Sequence, residues 1–218
     1  YRFLRPVLRR IIEQGYDPDL IDAHYFYPDG VAAAMLAKEF KKPLTITARG
    51  TDLNLIPKYK YPRNLIRAAA EQADGLITVC AALAAPLRDM GLPEEKIHVL
   101  RNGVDLQGFQ PQDRGAARMK LGLTGSTAVS VGGLIERKGH HISIMAMKSL
   151  PDVTLLLAGT GPEESNLRSL AQELGVAERV RFLGRVAHEE LSHVYSAADI
   201  SILASSREGW ANVLLESM

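Results

Sequence analysis

The sequence has 218 residues, of which 46% are hydrophobic and 23% are charged, and this composition excludes an intrinsically disordered chain. Lys and Arg number 26 against 25 Asp and Glu, so no global positive field exists to hold nucleic acid. One cysteine, Cys80, excludes an intrachain disulfide and a multi-cysteine metal cluster, and it fits a reducing compartment such as the cytoplasm.

Short apolar runs alternate with helix-length amphipathic segments along the chain, which is typical of parallel sheets with crossover helices. After an opening helix, FLRPVLRRIIEQ, strands are predicted at 19–25, 43–49, 75–80, 97–103, 127–133, 153–159, 179–184 and 200–205. The segments between them are predicted to be helices at 31–40, 63–72, 83–91, 140–150, 163–175 and 188–198. The sequence therefore predicts two α/β halves with four strands each.

The opening helix carries two kinds of side chain on opposite sides. The apolar side holds Phe3, Leu4, Val7, Leu8, Ile11 and Ile12, and the basic side holds Arg2, Arg5, Arg9 and Arg10. A helix lying on a membrane surface has this pattern, and so does a helix that covers a sheet with its basic side in water. We favour the sheet-covering helix, and peripheral membrane contact stays open.

The segment after Val104 and Asp105 contains Gly, Pro and charges without a strand period, which indicates an interdomain linker. It separates a partial N-terminal domain, residues 1–108, from residues 109–218, which hold the linker and a partial C-terminal domain. Four strands per half are fewer than a complete doubly wound sheet has. With no initial Met and with Met218 inside a helical pattern, we expect a chain truncated at both ends.

Ligands of such sheets bind at the carboxyl ends of the strands, so the residues after each strand are site candidates. Gly132 and Gly133 permit close backbone approach, and Arg137 with Lys138 places two cations near a helix start. A bound diphosphate would relieve their repulsion, although a solvated turn explains these residues equally well. The turn lacks the G-x-G-x-x-G pattern of nicotinamide enzymes. After the next strand, Gly161 suits a tight strand-to-helix turn better than a ligand loop.

The last predicted strand leads into Glu208, with Gly209 to Asn212 opening a helix and Glu216 about one turn inside it. Carboxylates accept hydrogen bonds from sugar hydroxyls, and backbone amides at a helix start donate to hydroxyls or phosphate. The alternative is that Glu208 complements the helix dipole and that Glu216 is a solvated helix residue.

The segments VGGLIERKG, LLLAGTGPEESNL, RVRFLGRVAHEELSHVYSAADISILAS and SSREGWANVLLESM resemble the C-terminal half of the family 4 retaining glycosyltransferases, also called group 1. The upstream segments DLIDAHYFYPDG, PLTITARGTDLN, ADGLITVCAAL and IHVLRNGVDLQGF resemble the N-terminal half and linker of that family. The resemblance covers nearly the whole chain, with the motifs in the family's order. It implies the GT-B fold, in which the parallel sheets of two Rossmann-like domains face a cleft, with the acceptor on the N-terminal side.

The resemblance implies that Glu208 binds the hydroxyls of the donor sugar, Glu216 the ribose, and Lys138 the diphosphate. The Gly184–Val186 turn corresponds to the region that meets the base. The implied donor-binding residues are Gly132, Gly133, Arg137, Lys138, Gly161, Arg185, Val186, Glu208, Gly209, Trp210, Ala211, Asn212 and Glu216. No metal and no cofactor are implied, because fixed cations and a helix end can stabilise the departing nucleoside diphosphate.

Two positions depart from the family pattern. Many members have an arginine where this chain has Gly133, and a histidine where it has Arg49, directly before Gly50. We hypothesise that Arg137 and Arg49, the latter across the cleft, supply the missing positive charge, so that the catalytic residues are Glu208, Arg49 and Lys138. A salt bridge of Arg49 with Asp52 is the alternative.

His24 and Gly50 are further candidates for residues of the cleft. His24 follows the first predicted strand and Gly50 the second, so both stand where a parallel sheet exposes its loops. A structural role for His24 is an equal alternative.

The function implied is transfer of a hexose from a nucleoside diphosphate sugar to a hydroxyl of a carbohydrate or lipid-linked acceptor. Surface polysaccharide biosynthesis in the cytoplasm, at the inner membrane face, is the expected setting. One alternative is a nucleotide-sugar 2-epimerase, which needs acid and base carboxylates such as Asp22, Asp29 or Asp52. Another is a non-catalytic partner subunit that binds nucleotide sugar. We expect the 218-residue chain by itself to be inactive as a transferase.

Overall fold

The computed structural model describes residues 1–218, which form two compact units. The first unit holds Tyr1–Asn102 together with Glu208–Trp210, and the second holds Gly103–Arg207 together with Ala211–Met218. Each unit contains one parallel four-stranded sheet, so the predicted α/β class is confirmed.

The first unit is a sheet whose strands pair in chain order, β1-β2-β3-β4. The strands are β1 (Ile21–His24), β2 (Leu44–Ala48), β3 (Gly75–Thr78) and β4 (Ile97–Val99). The helices are α1 (Leu4–Glu13), α2 (Val31–Phe40), α3 (Thr51–Asn54), α4 (Lys60–Gln72) and α5 (Ala81–Asp89). Ile46, Leu76 and Leu87 are fully buried in its core, because helices cover the central strands.

The second unit has strand order β7-β6-β5-β8, so the direction of strand addition reverses at β5. The strands are β5 (Ser126–Val131), β6 (Val153–Ala158), β7 (Val180–Gly184) and β8 (Ile200–Ser201). The helices are α6 (Arg114–Lys120), α7 (His140–Ala146), α8 (Glu164–Glu173), α9 (Leu191–Ala197) and α10 (Asn212–Glu216). Consecutive residues Leu155–Leu157 are all buried, as expected for an interior strand of a sheet that is covered on both faces.

All eight predicted strands are present, but two of them end four residues earlier than predicted. β4 ends at Val99 instead of Gly103, and β8 ends at Ser201 instead of Ser205. The chain after β8 leaves the ladder because it bonds to another loop, with the Ser206 amide 3.0 Å from the Arg137 carbonyl. The predicted linker also contains a helix, α6, whose first turn is capped by the Asp113 carboxylate at 2.7 Å from the Ala116 amide.

The opening helix α1 does not cover the sheet, contrary to the favoured prediction. No residue of α1 is buried, and the Phe3 side chain is 92% exposed. The helix is held by its polar side instead, since Arg5 and Arg9 both pair with Glu39 of α2 at 2.7 and 3.0 Å. The Arg5 guanidinium, with help from Tyr1, lowers the pKa of Glu39 to about 2. None of the helices combines the length and apolar character that a membrane span requires.

The loops after β5 and β6 touch through their backbones. The Leu134 amide donates to the Thr160 carbonyl at 3.0 Å, and the Glu163 amide donates to the Leu134 carbonyl at 3.0 Å. A Cβ on Gly161 would lie 2.3 Å from the Leu134 carbonyl oxygen. Gly161 is therefore required for packing of the two loops, which is the structural role that the sequence favoured.

We predict that Gly161→Ala destabilises the chain by about 1–3 kcal/mol, because the added methyl group meets backbone that cannot move without breaking the loop pairing. Gly103→Ala is the matched control, since a Cβ there meets nothing within 4 Å. Urea unfolding followed by circular dichroism measures both variants. Equal unfolding midpoints for Gly161→Ala and the unsubstituted chain would contradict the prediction.

Candidate donor site at the switch point of the second sheet

The reversal of strand order in the second sheet separates the loops that follow β5 and β8. In parallel α/β sheets such a reversal creates a crevice at the carboxyl edge, where ligands bind. The β5 loop, residues 132–139, lies here, next to the chain that follows β8. The architecture thus places the best candidate site of the second unit beside the loop that carries Lys138 and the segment that leads to Glu208.

The β5 loop and the chain after β8 are in direct contact. A Cβ on Gly139, whose φ is +69°, would lie 2.0 Å from the Ala204 carbonyl oxygen, so only glycine permits this approach. The Arg137 guanidinium donates through Nη1 to the carbonyl of Arg207 at 2.7 Å. Arg137 therefore holds the segment that leads directly into Glu208, a role that its sequence position did not reveal.

Lys138 lies against the glycine turn of the same loop. Its aliphatic stem packs over Gly132, where an added Cβ would be 3.5 Å from Lys138 Cδ and Cε. Gly132 has φ +153° and donates its amide to the Ala158 carbonyl at 2.9 Å. Gly132 and Lys138, both predicted site residues, are thus in contact, and Lys138 is half-buried beside the turn.

A buried histidine contacts the glycine turn, and no motif in the sequence indicated it. His140 is 2% exposed, with Nδ1 at 3.1 Å from the Ser130 hydroxyl and Nε2 at 3.3 Å from the Gly133 carbonyl. The carbonyl can only accept, so Nε2 carries the proton and Nδ1 accepts from the serine. Burial, together with the nearby Lys138 charge, lowers the pKa of His140. The neutral imidazole thus links β5 to the loop that carries Lys138.

A cavity of about 260 Å³ opens at the carboxyl ends of β5, β6 and β7. Four of the predicted donor-binding residues, Gly132, Gly133, Arg185 and Val186, line it. Its other walls are Val131, Ala158, Gly159, Thr160 and Leu191. The structure therefore brings Arg185 and Val186 to the same cavity as the glycine turn.

The segment after Glu208 differs from the prediction in where the helix starts. Helix α10 begins at Asn212, so Gly209, Trp210 and Ala211 belong to the preceding loop. Ala211 has φ −90° and ψ 85°, which is not helical.

Packing in the first unit explains the delayed helix start. A Cβ on Gly209 would lie 2.0 Å from the Arg49 carbonyl oxygen, and Trp210 packs against the first core. The Arg101 guanidinium also lies 5.7 Å from the centroid of the Trp210 ring. These contacts hold the segment extended and delay the helix.

Glu216 lies in α10 beside a half-buried tyrosine. The Tyr195 hydroxyl donates to Glu216 Oε2 at 3.4 Å. Burial, and then the Glu216 charge, raise the pKa of the Tyr195 phenol above its ordinary value. The carboxylate predicted to bind ribose is thus half-buried and oriented from α9 rather than fully solvated.

In the first unit, the structure brings Arg49 and His24 together at the carboxyl ends of β1 and β2. Arg49 Nε is 3.1 Å from His24 Nδ1, and Arg49 Nη1 is 3.1 Å from Asn102 Oδ1. The proposed Arg49–Asp52 salt bridge is not formed, because the Asp52 carboxylate accepts the Arg49 backbone amide instead. Gly50 follows with φ +145°, and an added Cβ there would lie 3.1 Å from the Gly209 backbone.

Asp52 is a second residue that the sequence analysis did not place in a supporting role. The residue is fully buried, and its oxygens accept from the amides of Phe26 at 2.9 Å and Gly50 at 2.7 Å. Its position in the first turn of α3, directly after the β2 loop, was the available signal.

Comparison with known proteins assigns a family to both halves of the chain. Residues 1–107 match the family described as Glycosyltransferase Family 4, and residues 113–218 match the family described as Glycosyl transferases group 1. A D-inositol 3-phosphate glycosyltransferase from Mycobacterium sp. strain KMS is 35% identical over 222 residues, covering 94% of this chain and 50% of that protein. The lipopolysaccharide core biosynthesis glycosyltransferase LpsE of Rhizobium meliloti strain 1021 is 33% identical over 173 residues, covering 75% of this chain and 49% of LpsE.

Solved structures are similar to this chain over nearly its full length. HepE from Anabaena, solved with UDP, superposes with a TM-score of 0.84 at 24% identity, covering 97% of this chain and 60% of HepE. Sucrose-phosphate synthase from Thermosynechococcus elongatus has a TM-score of 0.80 at 23% identity, covering 99% of this chain and 57% of that enzyme. The fold is the two-domain, Rossmann-like GT-B fold. The chain belongs to the family 4, or group 1, glycosyltransferases, and it spans about half the length of the curated relatives it matches.

The lowered pKa of His140 predicts a pH-dependent contribution to stability. The unfolded chain binds a proton at His140 near the ordinary pKa of about 6.5, whereas the folded chain resists it, so stability is lost as pH falls below that value. His140→Leu should destabilise the chain by about 1–3 kcal/mol at neutral pH, because the Ser130 hydroxyl and the Gly133 carbonyl lose their partner.

The difference in unfolding free energy between the unsubstituted chain and His140→Leu should shrink as pH falls from about 7.5 to about 5.5. Denaturant titrations at each pH measure it. His98→Gln, at an exposed histidine of β4, should give a curve parallel to that of the unsubstituted chain. A constant difference for His140→Leu across this pH range would show that His140 does not titrate as stated.

Proposed function

We propose that this chain is the donor-binding and acceptor-side core of a retaining hexosyltransferase that uses a nucleoside diphosphate sugar. The observation that carries the proposal is the contact between the β5 loop and the chain after β8. Through it, Lys138 and the segment leading to Glu208 share the switch point of the second sheet. Family membership and the names of the curated relatives support the same function.

In the proposed site, each polar group meets a different part of the donor. The Lys138 stem packs over the glycine turn, and in this proposal its ammonium binds the diphosphate, while the cavity bounded by Arg185 and Val186 receives the base end of the nucleotide. Glu208 accepts hydrogen bonds from the sugar hydroxyls. Glu216, oriented by Tyr195, accepts from the ribose.

The proposed reaction breaks the bond between sugar C1 and the diphosphate oxygen, and the nucleoside diphosphate leaves with the electron pair. An acceptor hydroxyl forms the new bond to C1 on the same face and gives its proton to the departing diphosphate oxygen. Negative charge grows on the leaving diphosphate, so a fixed cation such as Lys138 lowers the barrier more than it strengthens donor binding. In this proposal fixed protein cations, rather than a metal ion, meet that charge.

The proposed setting is biosynthesis of a surface glycan on the cytoplasmic side of the membrane. Relatives named for lipopolysaccharide core biosynthesis and for teichuronic acid biosynthesis support it. Because the chain spans about half of those proteins, the acceptor is proposed only as a carbohydrate or lipid-linked hydroxyl.

The structure disfavours the epimerase alternative at one of its candidate carboxylates. Asp52 is fully buried, and its oxygens are used by backbone amides of Phe26, Arg49 and Gly50. A carboxylate engaged in this way cannot exchange protons with a sugar carbon without breaking the loop that it holds.

We predict that Glu208→Gln in the complete natural protein slows turnover of UDP-glucose by about 10-fold or more, because charge-assisted hydrogen bonds to sugar hydroxyls are weakened. Affinity for UDP alone, measured by calorimetry, should stay within about 3-fold, since Glu208 is assigned to the sugar and not to the phosphates. Glu189→Gln, at an exposed glutamate before α9, is the control.

Equal losses of UDP-glucose turnover and UDP affinity would place Glu208 elsewhere in the site. Nucleotide-sugar binding without any turnover would identify the non-catalytic subunit instead. Retention is checked by the anomeric coupling constant of the product in NMR spectra. If protein cations alone stabilise the negative charge of the leaving diphosphate, the enzyme should keep full activity in excess EDTA.

A further inference from the structure

Four polar side chains form a row of close polar contacts along the carboxyl edge of the first sheet. Asp22 and His24 come from β1, Arg49 directly follows β2, and Asn102 follows β4. His24 Nε2 is 3.1 Å from Asp22 Oδ2, and His24 Nδ1 is 3.1 Å from Arg49 Nε and 2.7 Å from Arg49 Nη2. The row ends with Arg49 Nη1, which is 3.1 Å from Asn102 Oδ1.

These contacts fix the protonation of His24. A guanidinium only donates hydrogen bonds, so His24 Nδ1 must accept and carries no proton. The single ring proton then lies on Nε2, the ring nitrogen that is 3.1 Å from Asp22 Oδ2. Asp22 is itself held from β2, because the Thr45 hydroxyl donates to its Oδ1 at 2.7 Å.

The backbone of Arg49 is fixed independently of its side chain. Asp52 accepts the amides of Arg49 at 3.1 Å and Gly50 at 2.7 Å from its buried position in α3. Both ends of the arginine are therefore restrained. Holding a long side chain in one orientation costs conformational entropy. Because the Arg49 side chain is already held in the folded protein, little further entropy is lost when a ligand binds.

The restrained guanidinium still has donors to offer. Of its five N–H groups, Nε–H and one on Nη2 point to His24, and one on Nη1 points to Asn102. One N–H on each terminal nitrogen remains, and Arg49 is exposed. N–H groups on the two terminal nitrogens of a planar cation can each donate to an oxygen of a phosphate.

We propose that Asp22 and His24 are positioning residues that hold the Arg49 guanidinium ready to bind a phosphate oxyanion. The proposal rests on the proposed function, since the oxyanion is either the diphosphate of a sugar donor or a phosphate on the acceptor. It gives the Asp22–His24 pair a role in presenting Arg49, so that neither acts as the acid or base of the reaction. Arg49 touches the ligand, and the other two act through it.

The test uses the complete natural protein and variants at two positions. His24→Leu removes the acceptor, whereas His24→Asn keeps an amide oxygen close to the place of Nδ1. Arg49→Ala and the double variant Arg49→Ala/His24→Leu complete a double-mutant cycle. Thermal unfolding of each variant shows that it is folded, and His98→Gln is the control with unchanged activity.

Hydrolysis of UDP-glucose by water is the first readout, because it needs no acceptor. We expect Arg49→Ala and His24→Leu each to lower the single-turnover rate by about 10-fold or more, with KM for UDP-glucose within about 3-fold. The double variant should be no slower than Arg49→Ala alone, and His24→Asn should restore most of the rate. Additive losses, or His24→Asn as slow as His24→Leu, would overturn the positioning role.

A second readout separates the two sources of the oxyanion. If Arg49→Ala leaves hydrolysis unchanged but weakens binding of D-inositol 3-phosphate in calorimetry, the phosphate belongs to the acceptor. If Arg49→Ala slows hydrolysis, the phosphate that Arg49 binds belongs to the donor. If neither changes, Arg49 binds no oxyanion and the proposal is wrong.

The network also has a test that does not depend on the proposed function. Nitrogen-15 NMR of the histidine rings should show His24 protonated at Nε2 only, and Arg49→Ala should shift the Nδ1 resonance. Protonation of His24 at Nδ1 in the unsubstituted protein would overturn the proposal even if transferase activity is present. Absence of UDP-glucose binding with the expected NMR result would refute the proposed function and leave the side-chain network standing.

Discussion

Three glycines at the carboxyl edge of the second sheet allow loops to touch through their backbones, and the candidate donor site depends on these contacts. A Cβ would lie 2.0 Å from the Ala204 oxygen at Gly139, 1.9 Å from the Gly132 oxygen at Gly159, and 2.3 Å from the Leu134 oxygen at Gly161. No side chain fits at such distances. Because the loops meet this closely, short backbone hydrogen bonds fix the turn that carries Lys138 and the chain that leads to Glu208.

Each unit supports its exposed loop with one buried polar side chain, and the two supports use different chemistry. In the second unit the support is His140, a neutral imidazole between the Ser130 hydroxyl and the Gly133 carbonyl. In the first unit it is Asp52, whose carboxylate accepts from several backbone amides. Burial of either group without partners would cost several kcal/mol, so each of them also enforces the loop conformation that satisfies it.

The chain has a net charge of only +1, yet several of its cations are held in fixed positions at the loops that follow the strands. Arg137 does not simply replace the arginine that the family resemblance predicts at Gly133, since its guanidinium donates to the Arg207 carbonyl. Lys138 packs its stem against the glycine turn. In the first unit, Arg49 is held in a fixed orientation by His24 and Asn102. Oriented cations of this kind stabilise developing charge because little reorganisation is needed when the charge appears.

The sequence by itself determined the fold class, the eight strands and the positions of the site candidates relative to those strands. Strands buried on both faces of a parallel sheet consist of short apolar runs, and amphipathic helices repeat their apolar residues about every 3.6 positions. The local sequence pattern is therefore sufficient to predict these elements. The glycine turn, Lys138 and Arg185 were predicted after their strands and lie there. Resemblance to a family supplied the roles that pattern alone left open.

Only the tertiary structure decided how residues distant in the chain meet. The strand order β7-β6-β5-β8, the early end of β8, the start of α10 at Asn212 and the exposure of Phe3, Leu4 and Val7 all follow from such contacts. So do the pairing of His24 with Arg49 and the burial of His140 under the glycine turn. The periodicity of a sequence records which face of an element is buried, but it carries no information about which partner covers that face. Hydrogen bonds between loops depend on that partner, and so they appear only when the chain is folded.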